Sequence, residues 1–404
     1  MIIIIHNFIE DQLKKPTLFI DESKLDINFV PEDLPHREKE LILLSQLFLI
    51  LITQPNSVSR KVVITGGIGI GKTVTVKHFG QIIKNTAEKR KIPIEYFHIN
   101  CRKERTGYKI LVKIMKHFNK NFPSRGFSFQ DLLDMLKDNL NRQNKHLILV
   151  LDELSYIIMK NDDIIYALTR INDETLNTSQ RLSIIGIIRD ISSLNNLDES
   201  TLSTLQSNII HFNKYSKNQI IDILKSRVKI SIKPNVIDYN IFDMISNLVY
   251  KSGDIRKALD ILWASIKIAG ERNLKKVSPE CVRLANNKTI SNFSQDLLIS
   301  IESHKLILLF SILNVLEKNK KSYGLISKIK EEFQQICEYL KLSIFSYSQI
   351  MNYLHELEKY GIISIKIKSK NIRGRQAQVS INDISLELLK KKLLSIFESR
   401  GLNI

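Results

Sequence analysis

The chain has 404 residues, enough for two or three domains, and its 60 lysines and arginines against 42 acidic residues give a formal charge of +18. This surplus predicts a polyanionic partner. The three cysteines are isolated, which excludes a disulfide framework or a zinc cluster and favours a reducing, intracellular compartment. No apolar run reaches the roughly 18 residues that cross a bilayer, so a membrane partner is not expected.

Residues 1–25 are predicted to form an N-terminal arm. Its opening Met1-Ile2-Ile3-Ile4-Ile5 is apolar, but it is short and lacks the basic leader of a signal peptide. We expect it to form a strand or a helix end docked on the body of the protein. Residues 26–213 then alternate strand and helix patterns, which predicts a nucleotide-binding α/β domain with a parallel sheet and flanking helices.

A phosphate-binding loop follows the apolar strand Lys61–Thr65 and reads Gly66-Gly67-Ile68-Gly69-Ile70-Gly71-Lys72-Thr73. Backbone N–H groups around Gly69, Ile70 and Gly71 close on the phosphates in such loops. Lys72 is expected to meet the β and γ phosphates, and Thr73 to coordinate Mg²⁺. Since a helix-competent segment comes next, the sequence predicts binding of a nucleoside triphosphate, ATP with Mg²⁺.

Two carboxylates end a second apolar run. Leu147–Leu151 has the continuous hydrophobicity of a parallel strand buried on both faces, and Asp152 and Glu153 follow it directly. Ligands of open α/β sheets bind at the carboxyl edge of the strands. We therefore expect Asp152 to reach Mg²⁺ and Glu153 to polarise a water for attack on the γ-phosphate, which predicts ATP hydrolysis.

The rest of the chain is predicted to hold two further domains. Residues 214–289 have helical periodicity throughout, which predicts a small all-helical lid. Residues 290–404 are predicted to form a winged helix-turn-helix, with helices near 304–318, 323–340 and 346–360. Strands at 362–367 and 376–381 would form the wing.

The helix at 346–360 has one apolar and one polar face. Ser346 and Gln349 have capping-box spacing, and Gly361 ends the helix. The apolar face is predicted to hold Ile350, Leu354, Leu357 and Tyr360, and the opposite face Gln349, Asn352, Tyr353 and Glu356. Such a helix fits a DNA major groove.

A basic tract supports a nucleic-acid partner for this domain. Between residues 359 and 375 there are six basic residues and no acidic one. The predicted DNA-binding residues here are Gln349, Asn352, Lys366, Lys368, Lys370, Arg373 and Arg375, with the wing on phosphates or in the minor groove. The alternative is a winged helix that contacts protein.

Four segments in order along the chain resemble the archaeal replication initiators related to the largest origin-recognition subunit and to the cell-division-control helicase loader. They are residues 29–38 (FVPEDLPHRE), 98–102 (HINCR), 147–153 (LILVLDE) and 253–260 (GDIRKALD). These are similar to that family's segment over the adenine, its second sheet strand, its Walker B strand and its lid motif. The resemblance covers nearly the whole chain. It implies an α/β P-loop AAA+ ATPase domain, a lid and a C-terminal winged helix.

The resemblance assigns roles to four more residues. Arg256 matches the lid residue that contacts the γ-phosphate, and Tyr215 and Arg227 match nucleotide contacts from the lid side. For Tyr215 the alternatives of facing the base or capping the lid core stay open. Residues 122–128 (FPSRGFS) resemble an initiator-specific insertion that touches DNA, which makes Arg125 a candidate DNA contact.

Two positions depart from the family pattern. After the strand Leu182–Ile188 the family has a polar Asn that orients the attacking water, whereas this chain has Arg189-Asp190. At the position of Ser200, the family has an Arg that inserts into the site of a neighbouring molecule. In related enzymes an arginine finger contributes ~10³ or more in rate, so slow turnover is expected.

The resemblance therefore implies a DNA replication initiator in the cytoplasm, associated with the nucleoid. It would bind origin duplex DNA, beside paralogous initiators, and help to recruit the replicative minichromosome-maintenance helicase, with ATP binding and slow hydrolysis as a switch. Two alternatives remain: a hydrolysis-poor paralogue that acts as a nucleotide-gated DNA-binding regulator, and a signalling ATPase whose winged helix contacts protein.

Overall fold

The computed structural model describes residues 17–160, 163–171, 179–206, 208–289, 298–299, 301–319, 321–343, 345–360, 362–369, 375–381 and 385–402. The chain forms two compact units. Residues 28–219 and 252–255 make up the first, called here the α/β unit. The second, called the lid–wing unit, holds residues up to 27, 220–251 and those from 256 onward. The predicted docking of Met1–Ile5 lies outside the described residues.

The α/β unit is built on a five-stranded sheet in the order β2-β3-β4-β1-β5, with every pair parallel. The strands are β1 Lys61–Thr65, β2 Ile94–Asn100, β3 His146–Asp152, β4 Leu182–Ile187 and β5 Ile209–His211. All residues of β3 and β4 are buried, as expected for central strands covered on both faces.

Helices cover both faces of this sheet, and two separate apolar clusters pack against it. The helices are α1 Glu38–Phe48, α2 Ile50–Thr53, α3 Lys72–Lys89, α4 Gly107–Phe118, α5 Phe129–Arg142, α6 Ser155–Ile158, α7 Ile164–Thr169 and α8 Glu199–Gln206. A 3₁₀ turn, Ile191–Asn196, links β4 to α8. This arrangement leaves the carboxyl ends of β1, β3 and β4 side by side.

The lid helices of the second unit carry the N-terminal arm. They are α9 Lys217–Ser231, α10 Tyr239–Val249, α11 Ile255–Glu271 and α12 Pro279–Thr289, with the first residues of α9 and of α11 counted in the α/β unit. In the arm, Ile20 N–H donates to Ser231 O at 2.8 Å. Glu22 accepts from Trp263 Nε1 at 2.7 Å and from Lys267 Nζ at 2.8 Å. The described part of the arm therefore packs on α9 and α11.

The C-terminal part of the lid–wing unit is a winged helix. It consists of α13 Ser303–Asn319, β6 Gly324–Leu325, α14 Ile326–Tyr339, α15 Tyr347–Lys359, β7 Ser364–Ser369, β8 Arg375–Ser380 and α16 Leu386–Ser399. The strands form an antiparallel sheet in the order β6-β8-β7. The predicted capping box of Ser346 and Gln349 is confirmed at the start of α15. The first wing strand begins two residues later than predicted, because Ile362 and Ile363 turn into the core.

A buried polar network joins the lid to the winged helix. Arg283 of α12 is 1 % exposed, and its Nε donates to Ile381 O at 2.8 Å. Glu280 accepts from Arg283, from the Ser385 hydroxyl at 2.7 Å and from Leu386 N–H. Because buried charges are costly unless they are paired, this network ties α12 to the start of α16. Within the described residues, none of the helices combines the length and the apolar character needed to cross a bilayer.

Candidate nucleotide site and nucleic-acid interface

The loop between β1 and α3 has the backbone of a phosphate cradle. Gly66, Gly69 and Gly71 have φ values of +143°, +71° and +92°, which side-chain-bearing residues rarely adopt. Lys72 begins α3, so the helix N-terminus and its free N–H groups point into the loop. Lys72 Nζ donates to the carbonyls of Gly66 and Gly67, each at 2.6 Å. The loop thus concentrates N–H donors and one ammonium charge, as a polyphosphate requires.

Thr73 and Asp152 lie together beside this loop. Thr73 Oγ1 donates to Asp152 Oδ2 at 2.9 Å, joining the start of α3 to the end of β3. A hydroxyl and a carboxylate are hard oxygen donors of the kind that Mg²⁺ binds through one or two protein ligands. The donor set next to the phosphate cradle therefore fits a Mg–triphosphate, with Thr73 and Asp152 as the two protein oxygens.

Sequence reasoning missed a histidine that supports Asp152. His98 on β2 donates through Nε2 to Asp152 Oδ2 at 3.2 Å, and its Nδ1 lies 3.4 Å from Tyr96 Oη. Burial raises the pKa of Asp152, but the hydrogen bonds from His98 and Thr73 outweigh burial and hold this pKa below its usual value. The carboxylate is therefore ionised and fixed in orientation. Strands β2 and β3 pair in the register that places Asn100 opposite Asp152, and this pairing brings His98 close to Asp152.

Glu153 is paired with Arg189, which stands where the family pattern has an Asn. Its backbone has a φ of +54°, an uncommon value outside glycine, and its N–H donates to Asp152 Oδ1 at 2.9 Å. Arg189 Nη2 donates to Glu153 Oε1 at 3.1 Å. Glu153 Oε2 is buried and has no hydrogen-bond partner among the described residues. The predicted catalytic carboxylate is therefore paired with Arg189.

Arg37, the residue that precedes the first helix, braces the other side of the loop. Arg37 is 4 % exposed and donates to Ile70 O at 2.7 Å and to Asn213 O at 2.9 Å. Its guanidinium lies 4.0 Å from the ring centroid of Tyr215. Tyr215 is 6 % exposed, and burial raises the pKa of its hydroxyl. Tyr215 therefore lies beside the phosphate loop, while its contact with a base stays a prediction.

The lid motif reaches the loop within the α/β unit. Ile255 N–H donates to Gly69 O at 3.0 Å, and a Cβ on Gly69 would clash with Asp254 Oδ1. Only glycine fits under the Asp254 side chain. Arg256 follows directly but belongs to the lid–wing unit and is exposed. Its contact with the γ-phosphate stays a prediction.

Arg227 has a role that sequence reasoning did not foresee. It is 7 % exposed, and its Nη1 donates to Lys24 O of the arm at 3.0 Å. Burial lowers the pKa of Arg227 to about 10. The structure thus assigns Arg227 to anchoring the arm on α9. Its contact with the nucleotide stays a prediction.

Two further positions of the α/β unit concern turnover and DNA. At the predicted finger position, Ser200 Oγ accepts from Arg170, which stacks on Tyr166 with 4.8 Å between guanidinium and ring centroid. In the predicted insertion, Phe122 and Phe127 stack with their centroids 5.2 Å apart. This stack closes the loop and leaves Arg125 exposed at its tip.

On α15 the exposed face differs in part from the predicted one. Ile350, Leu354 and Leu357 are buried as predicted, and Gln349 and Asn352 are exposed. The prediction for Tyr360 was wrong, because 45 % of its surface is exposed.

The face of Tyr353 was also predicted wrongly, because this residue is half-buried against α13, where Lys305 lies 5.6 Å from its ring centroid. Glu356 pairs with the same Lys305 and keeps 42 % of its side chain exposed. His355 and Lys359, one and two turns beyond Asn352, are exposed instead and continue its stripe. A strict count at 3.6 residues per turn would have found them.

The wing is described only in part. Lys366 Nζ lies 3.1 Å from Asn247 Oδ1 and 3.7 Å from Asp243 Oδ2, both on α10. Lys370 and Arg373 lie outside the described residues, as do the side chains of Lys368 and Arg375. DNA contact by all five stays a prediction.

The Gly71→Ala substitution tests the loop geometry. A Cβ at Gly71 would lie 2.6 Å from Tyr215 Oη, on a backbone with φ of +92°. At Gly67 the nearest atom would be 3.9 Å away, and Gly67 is not among the positive-φ glycines. We expect Gly71→Ala to lower the free energy of unfolding by about 1–3 kcal/mol. Gly67→Ala, the matched control, changes it by less than about 1 kcal/mol.

The measurement is chemical denaturation of the full chain without nucleotide. Equal effects of the two substitutions would contradict the described loop backbone.

Family models match three successive parts of the chain. Residues 57–190 match an AAA domain, residues 221–287 the Cdc6 AAA+ ATPase-type lid domain, and residues 296–391 the CDC6 C-terminal winged helix domain. The predicted fold class, an α/β P-loop AAA+ domain followed by a helical lid and a winged helix, is thereby confirmed.

Relatives and solved structures agree with these models. The chain is 32 % identical to ORC1-type DNA replication protein 2 of Sulfurisphaera tokodaii, over 95 % of this chain and 94 % of that one. It is 30 % identical to the ORC1-type DNA replication protein of Pyrococcus abyssi, over 92 % and 89 %. Cdc6p of Pyrobaculum aerophilum superposes with a TM-score of 0.80 at 26 % identity, covering 95 % of this chain and all of that one. The chain therefore belongs to the archaeal ORC1/Cdc6-type family of DNA replication initiators.

Proposed function

We propose that this protein is an ATP-dependent replication initiator that binds origin duplex DNA and helps to recruit the replicative minichromosome-maintenance helicase. One observation carries the nucleotide part. The phosphate loop, Lys72 and the Thr73–Asp152 pair lie at one edge of the sheet, as binding of ATP with Mg²⁺ requires. Helicase recruitment and pairing with paralogous initiators rest on family membership. The protein would act in the cytoplasm, in association with the nucleoid.

The DNA part rests on the winged helix and on the charge of the chain. The stripe of Asn352, His355 and Lys359 is exposed on α15, and a formal charge of +18 favours a polyanion. Orc1 of Aeropyrum pernix, whose fold is similar at a TM-score of 0.62, has been solved in complex with DNA. Phosphate contacts by the wing and by Arg125 would supply most of the affinity, while α15 would read bases.

Hydrolysis is proposed to be slow. Glu153, which would polarise the attacking water, is paired through Oε1 with Arg189. At the finger position, Ser200 carries no positive charge for a neighbour's transition state, and its hydroxyl is occupied by Arg170. ATP would then act mainly as a conformational switch through Arg256, which follows the loop-bound Ile255 directly.

The same pairing favours a second candidate function: a hydrolysis-poor paralogue that acts as a nucleotide-gated DNA-binding regulator. The Arg189 guanidinium occupies one oxygen of Glu153, the predicted base. The intact Lys72, Asp152 and Glu153 favour the initiator instead. A signalling ATPase whose winged helix contacts protein is a third possibility, and it predicts that the wing contributes nothing to DNA affinity.

Neutralising the wing tests the DNA-binding proposal. The triple variant Lys366→Ala/Arg373→Ala/Arg375→Ala should weaken binding to origin duplex by tenfold or more and reduce the slope of log affinity against log salt, because each lost phosphate contact releases one counterion fewer. The control Lys84→Ala/Lys89→Ala removes two exposed charges from α3 and should change neither quantity.

Fluorescence anisotropy at several salt concentrations measures both. An unchanged affinity in the wing variant would favour the signalling ATPase whose winged helix contacts protein. Equal wild-type affinity for origin and scrambled duplexes would refute origin recognition.

Single-turnover hydrolysis distinguishes the initiator from the regulator. With protein in excess over labelled ATP, the wild type should convert ATP to ADP and phosphate slowly, and Glu153→Gln should reduce the rate at least about 100-fold, because the amide cannot accept the water proton. If the wild type and Glu153→Gln turn over ATP at the same rate, the regulator is the better description.

A further inference from the structure

Arg189 and Glu153 are brought together by the register of two buried strands. Strands β3 and β4 are parallel neighbours with Leu151 opposite Gly186, so the residues after their carboxyl ends emerge on the same edge. Leu154 N–H donates to Ile187 O at 2.9 Å and fixes the backbone of the two connections against each other. The 3.1 Å pair of Arg189 Nη2 and Glu153 Oε1 is therefore built into the sheet edge.

The pair uses only part of what each side chain offers. Arg189 is 46 % exposed, and its guanidinium has five N–H donors in a planar fork, of which one is used in this pair. The neighbouring Asp190 does not take up the others in the described contacts, because its carboxylate accepts from Ser192 N–H at 3.0 Å. Arg189 thus has donors for a second anion on the sheet edge that carries the phosphate loop.

We propose that Glu153 and the terminal phosphate of a bound nucleoside triphosphate compete for Arg189. Arg189 then determines how well the chain distinguishes a triphosphate from a diphosphate. This inference rests on the proposed function, since it needs a nucleotide at the phosphate loop. A phosphate oxygen is a strong acceptor for the planar fork of a guanidinium. A diphosphate has no γ-phosphate, so Arg189 stays paired with Glu153 when a diphosphate is bound.

The proposal makes opposite predictions for the two sides of the pair. Arg189→Ala removes the shared cation, so the preference for triphosphate over diphosphate falls. Glu153→Gln removes the competing charge and leaves the cation, so the preference rises. If the pair were only a structural salt bridge, both substitutions would break the same contact and shift the preference in one direction or not at all.

The experiment is a titration of the full chain with ADP and with a non-hydrolysable ATP analogue that has an imido bridge between the β and γ phosphates, both with Mg²⁺. Calorimetry gives the two dissociation constants. The readout is the ratio of the dissociation constant for ADP to that for the ATP analogue, which measures the preference for triphosphate. We expect Arg189→Ala to reduce the ratio about tenfold with ADP affinity unchanged, and Glu153→Gln to increase it. Arg189→Lys keeps the charge without the planar fork and should lie between wild type and Arg189→Ala.

Arg142→Ala, which removes an exposed arginine at the end of α5, is the matched control and should leave the ratio unchanged. Unchanged ADP affinity also shows that each variant is folded. An unchanged ratio in Arg189→Ala, or shifts of the same sign in Arg189→Ala and Glu153→Gln, would overturn the inference and leave the proposed function intact. A wild-type chain that binds neither nucleotide would overturn both.

Discussion

The parallel pairing of β1, β3 and β4 is the constraint on which the nucleotide site depends. Parallel strands end at a common edge, so the phosphate loop after β1, the carboxylates after β3 and Arg189 after β4 meet there although they are far apart in sequence. The strands can lie at the centre of the sheet only because they are apolar on both faces. The same burial keeps water away from Asp152 and makes its hydrogen bonds with Thr73 and His98 effective.

Charge at this edge is balanced by specific contacts. Asp152 and Glu153 are adjacent carboxylates, and each has a separate partner: Asp152 has Thr73 and His98, and Glu153 has Arg189. Without these partners, two neighbouring carboxylates beside a polyphosphate would repel each other and the ligand. The site therefore combines cationic and hydroxyl groups that stabilise the anions already present, which is the condition for adding a highly charged ligand.

The local features of the site and of the fold could be predicted from the sequence. Strand β1, the glycines of the loop and the capping box of Ser346 and Gln349 are set by neighbours within a few residues, and the structure has each of them where expected. The contact of His98 with Asp152 depends on strand register, and the stack of Arg37 on Tyr215 joins residues 178 positions apart in the chain. Such long-range pairs leave no periodic signal. On α15, Tyr353 was misplaced because the position of α13 beside that helix cannot be read from helical periodicity alone.

The loop at the end of β1 is inferred to hold a nucleoside triphosphate through Lys72. Isothermal titration of ATP with Mg²⁺ into the wild-type chain and into Lys72→Ala tests it most directly. We expect the wild type to bind one ATP per chain and the variant to lose at least about 100-fold in affinity, since the ammonium charge on the phosphates is removed. No binding by the wild type, or equal binding by both chains, would contradict it.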